Sequence, residues 1–116
     1  MKVLLSPMLS DSAGVAHAYF TRDGGVSEGI YASLNCGLGS QDDPARVRKN
    51  LTRVADHFSI DAANLVTMEQ THSVDVHIIA QDTHAQRPRA DALVTNQPDV
   101  ALGITGADCP LSLIHI

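Results

Sequence analysis

The clearest periodic signal in the chain runs over residues 44–58. Val47, Leu51, Val54, Ala55 and Phe58 recur at three- and four-residue spacing and form one apolar stripe. Arg46, Lys49, Arg53 and Asp56 fall on the other side, so the segment predicts an amphipathic helix. Asp43 can accept from the first free backbone amides. Pro44 suits the first helical position, where no amide hydrogen is needed.

The rest of the pattern is that of short strands. Residues 15–21 read as a first strand running into Arg22-Asp23-Gly24-Gly25, a turn that needs positive φ. Residues 65–68 read as a short strand. Residues 74–79 alternate, with Val74, Val76 and Ile78 on one face and Asp75 and His77 on the other, which predicts an exposed His77. A polar loop over residues 80–89 follows. Ala92–Thr95 and residues 100–105 then read as two strands around a turn at 96–99. The second is nearly continuous in apolar character, which predicts a central, buried strand. Gly37 and Gly39 punctuate a loop after Ser33-Leu34-Asn35. With Gly24 and Gly25 so near, this predicts backbone that approaches a neighbour closely. No repeat, linker or low-complexity tract breaks the chain. The expected class is α+β, in one continuous unit.

At 116 residues the chain has room for one small domain. Its net charge of −5 argues against the phosphate-attracting field of a nucleic-acid binder. Aromatic residues at 3%, with no Trp, argue against base-stacking platforms. The basic residues 46, 48, 49 and 53 share their segment with Asp42, Asp43 and Asp56, which reads as a solvated helix face. Two cysteines far apart, Cys36 and Cys109, suit a reducing cytoplasm better than a disulfide scaffold. The first nine residues carry one Lys and only short apolar runs, unlike a signal peptide, and no apolar run reaches membrane-spanning length. A soluble cytoplasmic protein that engages neither nucleic acid nor membrane is expected.

Two residues stand out for chemistry. His72, in Gln70-Thr71-His72-Ser73, lies between two predicted strands. Cys109, in Gly106-Ala107-Asp108-Cys109, lies just past another. Strand ends hold site residues on a rigid support. Imidazole and thiolate both suit zinc, and copper also accepts them. A free Cys is more often a small buried hydrophobe, and a lone His more often a surface residue. A cysteine nucleophile with His72 as base is a further option. Arg22 is either an exposed turn residue or an anion clamp, since guanidinium binds phosphate as a fork. His17 reads as packed or hydrogen-bonded, and His57 sits near a helix C-terminus that favours its charge. His84 lies in a polar loop. None of these makes a ligand cluster, and Cys36 reads as structural.

The motifs in order resemble a known family. His17-Ala18-Tyr19-Phe20-Thr21-Arg22-Asp23-Gly24-Gly25-Val26-Ser27 is similar to H-x-F-F-T-R-x-G-G-V-S, and Tyr31-Ala32-Ser33-Leu34-Asn35 to Y-x-S-L-N. Asp42-Asp43-Pro44 with Val47 and Asn50 is similar to D-D-x-x-x-V-x-x-N. Gln70-Thr71-His72-Ser73-Val74-Asp75-Val76 is similar to Q-x-H-x-x-x-V, Ala90-Asp91-Ala92-Leu93-Val94-Thr95 to A-D-A-L-V-T, and Ala107-Asp108-Cys109 to A-D-C. These are motifs of the YfiH-type, laccase-domain family, named for multicopper polyphenol oxidoreductases and now read mainly as purine nucleoside phosphorylases.

The resemblance implies an α/β mixed-sheet domain longer than this chain. It implies a metal, zinc or alternatively copper, held by His72, Cys109 and a later His in an H-A-G-W-R-G motif that this chain lacks. It also implies purine nucleoside and phosphate as partners, with phosphorolysis of adenosine, inosine and methylthioadenosine and deamination of adenosine. Arg22 is then a phosphate contact and Asn35 a donor to sugar or phosphate. The alternatives are a copper-dependent polyphenol oxidase, disfavoured because the chain has no H-x-H pair, and a non-catalytic peptidoglycan-editing accessory protein.

After Cys109 the family pattern x-P-V-L-h-h-D, with h hydrophobic, gives way to Leu111-Ser112-Leu113-Ile114-His115-Ile116. Those six residues translate CTGTCTCTTATACACATC, the end of a common sequencing-library transposon adapter. The expectation is therefore that residues 1–110 are the N-terminal part of one domain and residues 111–116 a non-native tail. His115 then carries no ligand role, and the fragment alone is expected to be unstable and inactive, with an exposed sheet edge.

Overall fold

The computed structural model describes residues 1–80, 87–106 and 112–113. They group into two units: Met1–Asn50 with the described part of Gly106–Ile116, and Leu51–Thr105.

In the first unit, β1 (Val3–Leu4) pairs antiparallel with β2 (Tyr19–Phe20), with Val3 opposite Phe20 and Leu4 opposite Tyr19. A one-turn helix, α1 (Pro7–Ser10), lies between them. The strand expected over 15–21 shortens to two residues because its partner is only two residues long. Ahead of it the His17 ring is already engaged: Nε2 accepts the Ser6 amide at 2.7 Å. After β2 the Asp-Gly signal is met, with Gly24 at φ +97°. Gly25 explains the expected close approach. A Cβ there would lie 2.0 Å from the Ser33 carbonyl oxygen, so the first glycine loop packs on the backbone of the second.

The long helix, α2 (Pro44–His57), forms where the periodicity placed it. The Asp43 carboxylate accepts from the Ala45 amide at 3.0 Å, and its carbonyl accepts from Arg46 and Val47. Val47, Val54 and Ala55 are buried as the stripe predicts. Asn50 is buried among these positions too, at 0% exposure. The helix ends at His57, and just past it Ser59 adopts φ +56° while the Ile60 amide reaches back to the Ala55 carbonyl at 3.2 Å.

The second unit holds two parallel strand pairs. β3 (Leu65–Val66) pairs with β6 (Ala101–Leu102), and β4 (Val76–Ile79) with β5 (Ala92–Thr95), from Val76 opposite Ala92 to Ile79 opposite Thr95. With the antiparallel β1–β2 pair, the strand pairing is mixed. Among the described residues of the second unit, Val54, Ala55, Val66, Met68, Ile79 and Ala90 are buried and apolar.

Two expectations fail here. The inward face of β4 carries Ile79 at 1% exposure and a half-buried His77, while Val76 and Ile78 stand 60% and 71% exposed. Alternation separates two faces but does not say which one meets the core. The strand expected over 100–105 is reduced to Ala101–Leu102, and Leu102 is exposed. An apolar run shows that a strand can be covered on both faces. Among the described residues β6 pairs with β3 alone. No helix among the described residues is long and apolar enough to cross a membrane.

Candidate functional site

In the first unit the site begins with the two glycine loops. The Arg22 carbonyl accepts the Ser33 and Leu34 amides at 3.0 and 2.8 Å, and the Ser33 hydroxyl at 2.7 Å. The Arg22 side chain is steered by one bond, Nε donating to the Ala32 carbonyl at 2.9 Å. Its two terminal nitrogens carry no bond to a described residue, and the residue is exposed. A guanidinium oriented through Nε presents those nitrogens as a planar fork, the shape that matches a phosphate edge.

Beneath the loops lies a satisfied polar network. Asn50 Oδ1 accepts the Val26 amide at 2.8 Å, and Nδ2 donates to the Ser27 hydroxyl at 2.9 Å and to the Asn35 carbonyl at 2.8 Å. The Ser27 hydroxyl donates to Asp42 Oδ2 at 2.5 Å. That bond, with help from Asn35, the Asp43 amide and Arg46, holds the Asp42 carboxyl below its ordinary range against a smaller opposing effect of desolvation. Asn35 itself is fully occupied. Its Nδ2 donates to the Ser40 hydroxyl at 2.9 Å and to Asp42 Oδ2 at 3.2 Å, and its Oδ1 accepts the Gly37 amide at 3.1 Å. The side chain thus spends its donors within the loops. Cys36 is half-buried, and desolvation pushes its thiol up to about 11, the state of a structural thiol rather than a nucleophile.

The second unit places His72. Glu69 bridges to Arg89, its amide bonding the Pro88 carbonyl at 2.8 Å while the Ala90 amide bonds the Glu69 carbonyl at 3.0 Å. This sets Asp91 against the Thr71–Ser73 turn. Asp91 Oδ1 accepts the Thr71 and His72 amides at 3.1 and 2.8 Å. Its Oδ2 accepts the Ser73 amide at 2.9 Å, the Thr71 hydroxyl at 2.9 Å and the Ser73 hydroxyl at 2.6 Å. The Ser73 hydroxyl bond, the Ser73 and Thr71 amides and the Thr71 hydroxyl together hold the Asp91 carboxyl well below the usual range, outweighing desolvation. His72 adopts φ +58°, and its imidazole is exposed with no bond to a described residue.

The donor chemistry at His72 fits a zinc or copper ligand: an exposed imidazole with neither nitrogen bonded to a described residue, on a turn anchored by its own backbone. Cys109 and His84 lie outside the described residues. Among the described residues no three His, Cys, Asp or Glu side chains converge as a metal cluster. Sequence reasoning did not single out Asp91, Asn50, Ser27 or Asp42. Each stood inside a quoted motif, but an isolated Asp, Asn or Ser does not announce what it binds.

A family model described as multi-copper polyphenol oxidoreductase laccase matches residues 16–115. The chain belongs to this family. Within it, the chain is 42% identical over 99 residues to the Streptomyces griseus protein named purine nucleoside phosphorylase ORF3, covering 83% of this chain and 40% of that protein. It is 43% identical over 112 residues to the purine nucleoside phosphorylase of Deinococcus radiodurans, covering 92% of this chain and 42% of that protein. The crystal structure of YlmD from Geobacillus stearothermophilus superposes with a TM-score of 0.79 at 30% identity, covering 90% of this chain and 40% of that one. That of the Bacillus licheniformis hypothetical protein YfiH gives 0.75 at 32% identity, covering 79% and 38%. The laccase-family segment described here thus spans about two fifths of the length of these relatives.

Proposed function

We propose that this segment belongs to a metal-dependent purine nucleoside phosphorylase acting in the cytoplasm. The observation that carries the reading is the Arg22 fork. It is exposed, oriented through Nε, and mounted on a loop whose backbone is tied down by buried Asn50. The relatives' names agree with it.

In phosphorolysis a phosphate oxygen forms a bond to the anomeric carbon of the ribose as the carbon–nitrogen bond to the purine breaks. The electron pair leaves with the base, which takes up a proton, and the product is ribose 1-phosphate. Arg22 holds the attacking dianion and fixes its approach, which lowers the entropic part of the barrier. Through its hydrogen bonds to Ser40, Asp42 and Gly37, Asn35 shapes the loop beside it; a direct contact to sugar or phosphate would require one of these to be exchanged. His72 and Cys109 would hold the metal, zinc or alternatively copper. Such an ion supplies Lewis acidity and water activation, the chemistry that deamination of adenosine would also draw on.

The test is the full-length protein with inosine, with and without phosphate, beside a phenol with copper. Phosphate-dependent release of hypoxanthine is expected. Phenol oxidation without phosphate-dependent cleavage would overturn the proposal.

A further inference from the structure

Asp91 lies outside the metal ligands and the phosphate contact, yet its carboxylate accepts five hydrogen bonds from described residues. Three consecutive amides, those of Thr71, His72 and Ser73, converge on its two oxygens, with the hydroxyls of Thr71 and Ser73 completing the set. Three successive amides turned to one side form an anion-binding concavity, and a left-handed residue within the run is what turns them. His72 is that residue, at φ +58°. The left-handed region is unfavourable for a non-glycine residue. Here it is compensated by an internal anion. Asp91 is itself held, since its amide donates to the Asp75 carbonyl at 2.9 Å at the entry to β4 and β5.

We propose that Asp91 is the positioning residue of the His72 ligand. It acts as a built-in counter-anion that holds the 71–73 turn in the one conformation presenting the imidazole for metal. The proposal rests on the reading of His72 as a ligand. It differs from the usual outer-sphere arrangement, in which a carboxylate bonds the far ring nitrogen. Here the carboxylate grips the ligand's backbone and leaves the ring free.

The experiment measures zinc affinity by competition with a chromophoric chelator, and the visible spectrum of the cobalt-substituted protein, for full-length wild type and variants. His72→Ala should abolish binding. Asp91→Ala and Asp91→Asn should weaken zinc binding about tenfold or more, on the scale of outer-sphere substitutions, and shift the cobalt bands with the far-UV circular dichroism unchanged. Thr71→Val, which removes one hydroxyl donor and leaves all three amides, should fall between Asp91→Asn and wild type. If His72→Ala leaves binding intact, the ligand reading fails. If His72→Ala abolishes it while the Asp91 variants keep wild-type affinity and spectrum, the positioning role fails. Should Asp91→Ala not fold, Asp91→Asn and Thr71→Val carry the same decision: an unchanged cobalt spectrum in both overturns the proposal.

Discussion

Replacing Asn50 by alanine removes three side-chain hydrogen bonds at a position with 0% solvent exposure. The Ser27 hydroxyl keeps Asp42 as a partner, but the Val26 amide and the Asn35 carbonyl are left with none from this side chain. An unsatisfied buried polar group costs about 1–3 kcal/mol, so leaving two unpaired should destabilise the protein by about 2–6 kcal/mol. That is a large part of a domain's usual margin of about 5–15 kcal/mol. Urea unfolding of the full-length protein, followed by circular dichroism, should show a lower midpoint at unchanged slope. Lys49→Ala, one residue away on the exposed side of α2, is the control and should stay within about 0.5 kcal/mol of wild type. Because the Asn50 partners lie in both glycine loops, the variant should also raise the KM for phosphate through Arg22. A loss below about 1 kcal/mol would mean that water replaces the amide, and the reasoning about a dry network would fall.

Three further outcomes are expected. Arg22→Ala should raise the phosphate KM about 10- to 100-fold, the value of one or two charge-assisted hydrogen bonds, and Arg22→Lys should recover little because it lacks the fork; equal KM in wild type and Arg22→Lys would refute the fork. The lowered Asp42 carboxyl should contribute stability that is present above the unfolded value near 3.8 and lost as pH falls through and below it. Acid titration of Asp42→Asn should therefore lack part of the wild-type decline, and an identical acid limb would refute the assignment. The exposed apolar positions Val74, Val76, Ile78 and Val94, at 93%, 60%, 71% and 52% exposure, should make the 116-residue chain bind a hydrophobic dye and aggregate. Val76→Thr with Ile78→Thr should at least halve the dye signal, and no change would place the sticky surface elsewhere.

Local chemistry decided much of this molecule before any tertiary contact. The α2 helix, its Asp43 cap and its buried Val47, Val54 and Ala55 follow from spacing alone, because a helix repeats its faces over many residues and the signal accumulates. The Asp-Gly turn follows because few residues tolerate its φ. The family follows from ordered motifs, and with it the interest in Arg22, Asn35, His72 and Cys109. Strands two to four residues long carry too few alternations to say which side is inward, so the burial of Ile79 and the exposure of Val76 and Ile78 were decided by packing. The same holds for the polar residues. A sequence shows that an Asp or Asn is present, but its partners come from distant parts of the chain. Asp91 meets Thr71, His72 and Ser73 across some twenty residues, and Asn50 meets Val26 and Asn35 across 24 and 15. Folding closes those loops, and only then does a carboxylate become an anchor for a left-handed histidine, or an amide the tie between two glycine loops.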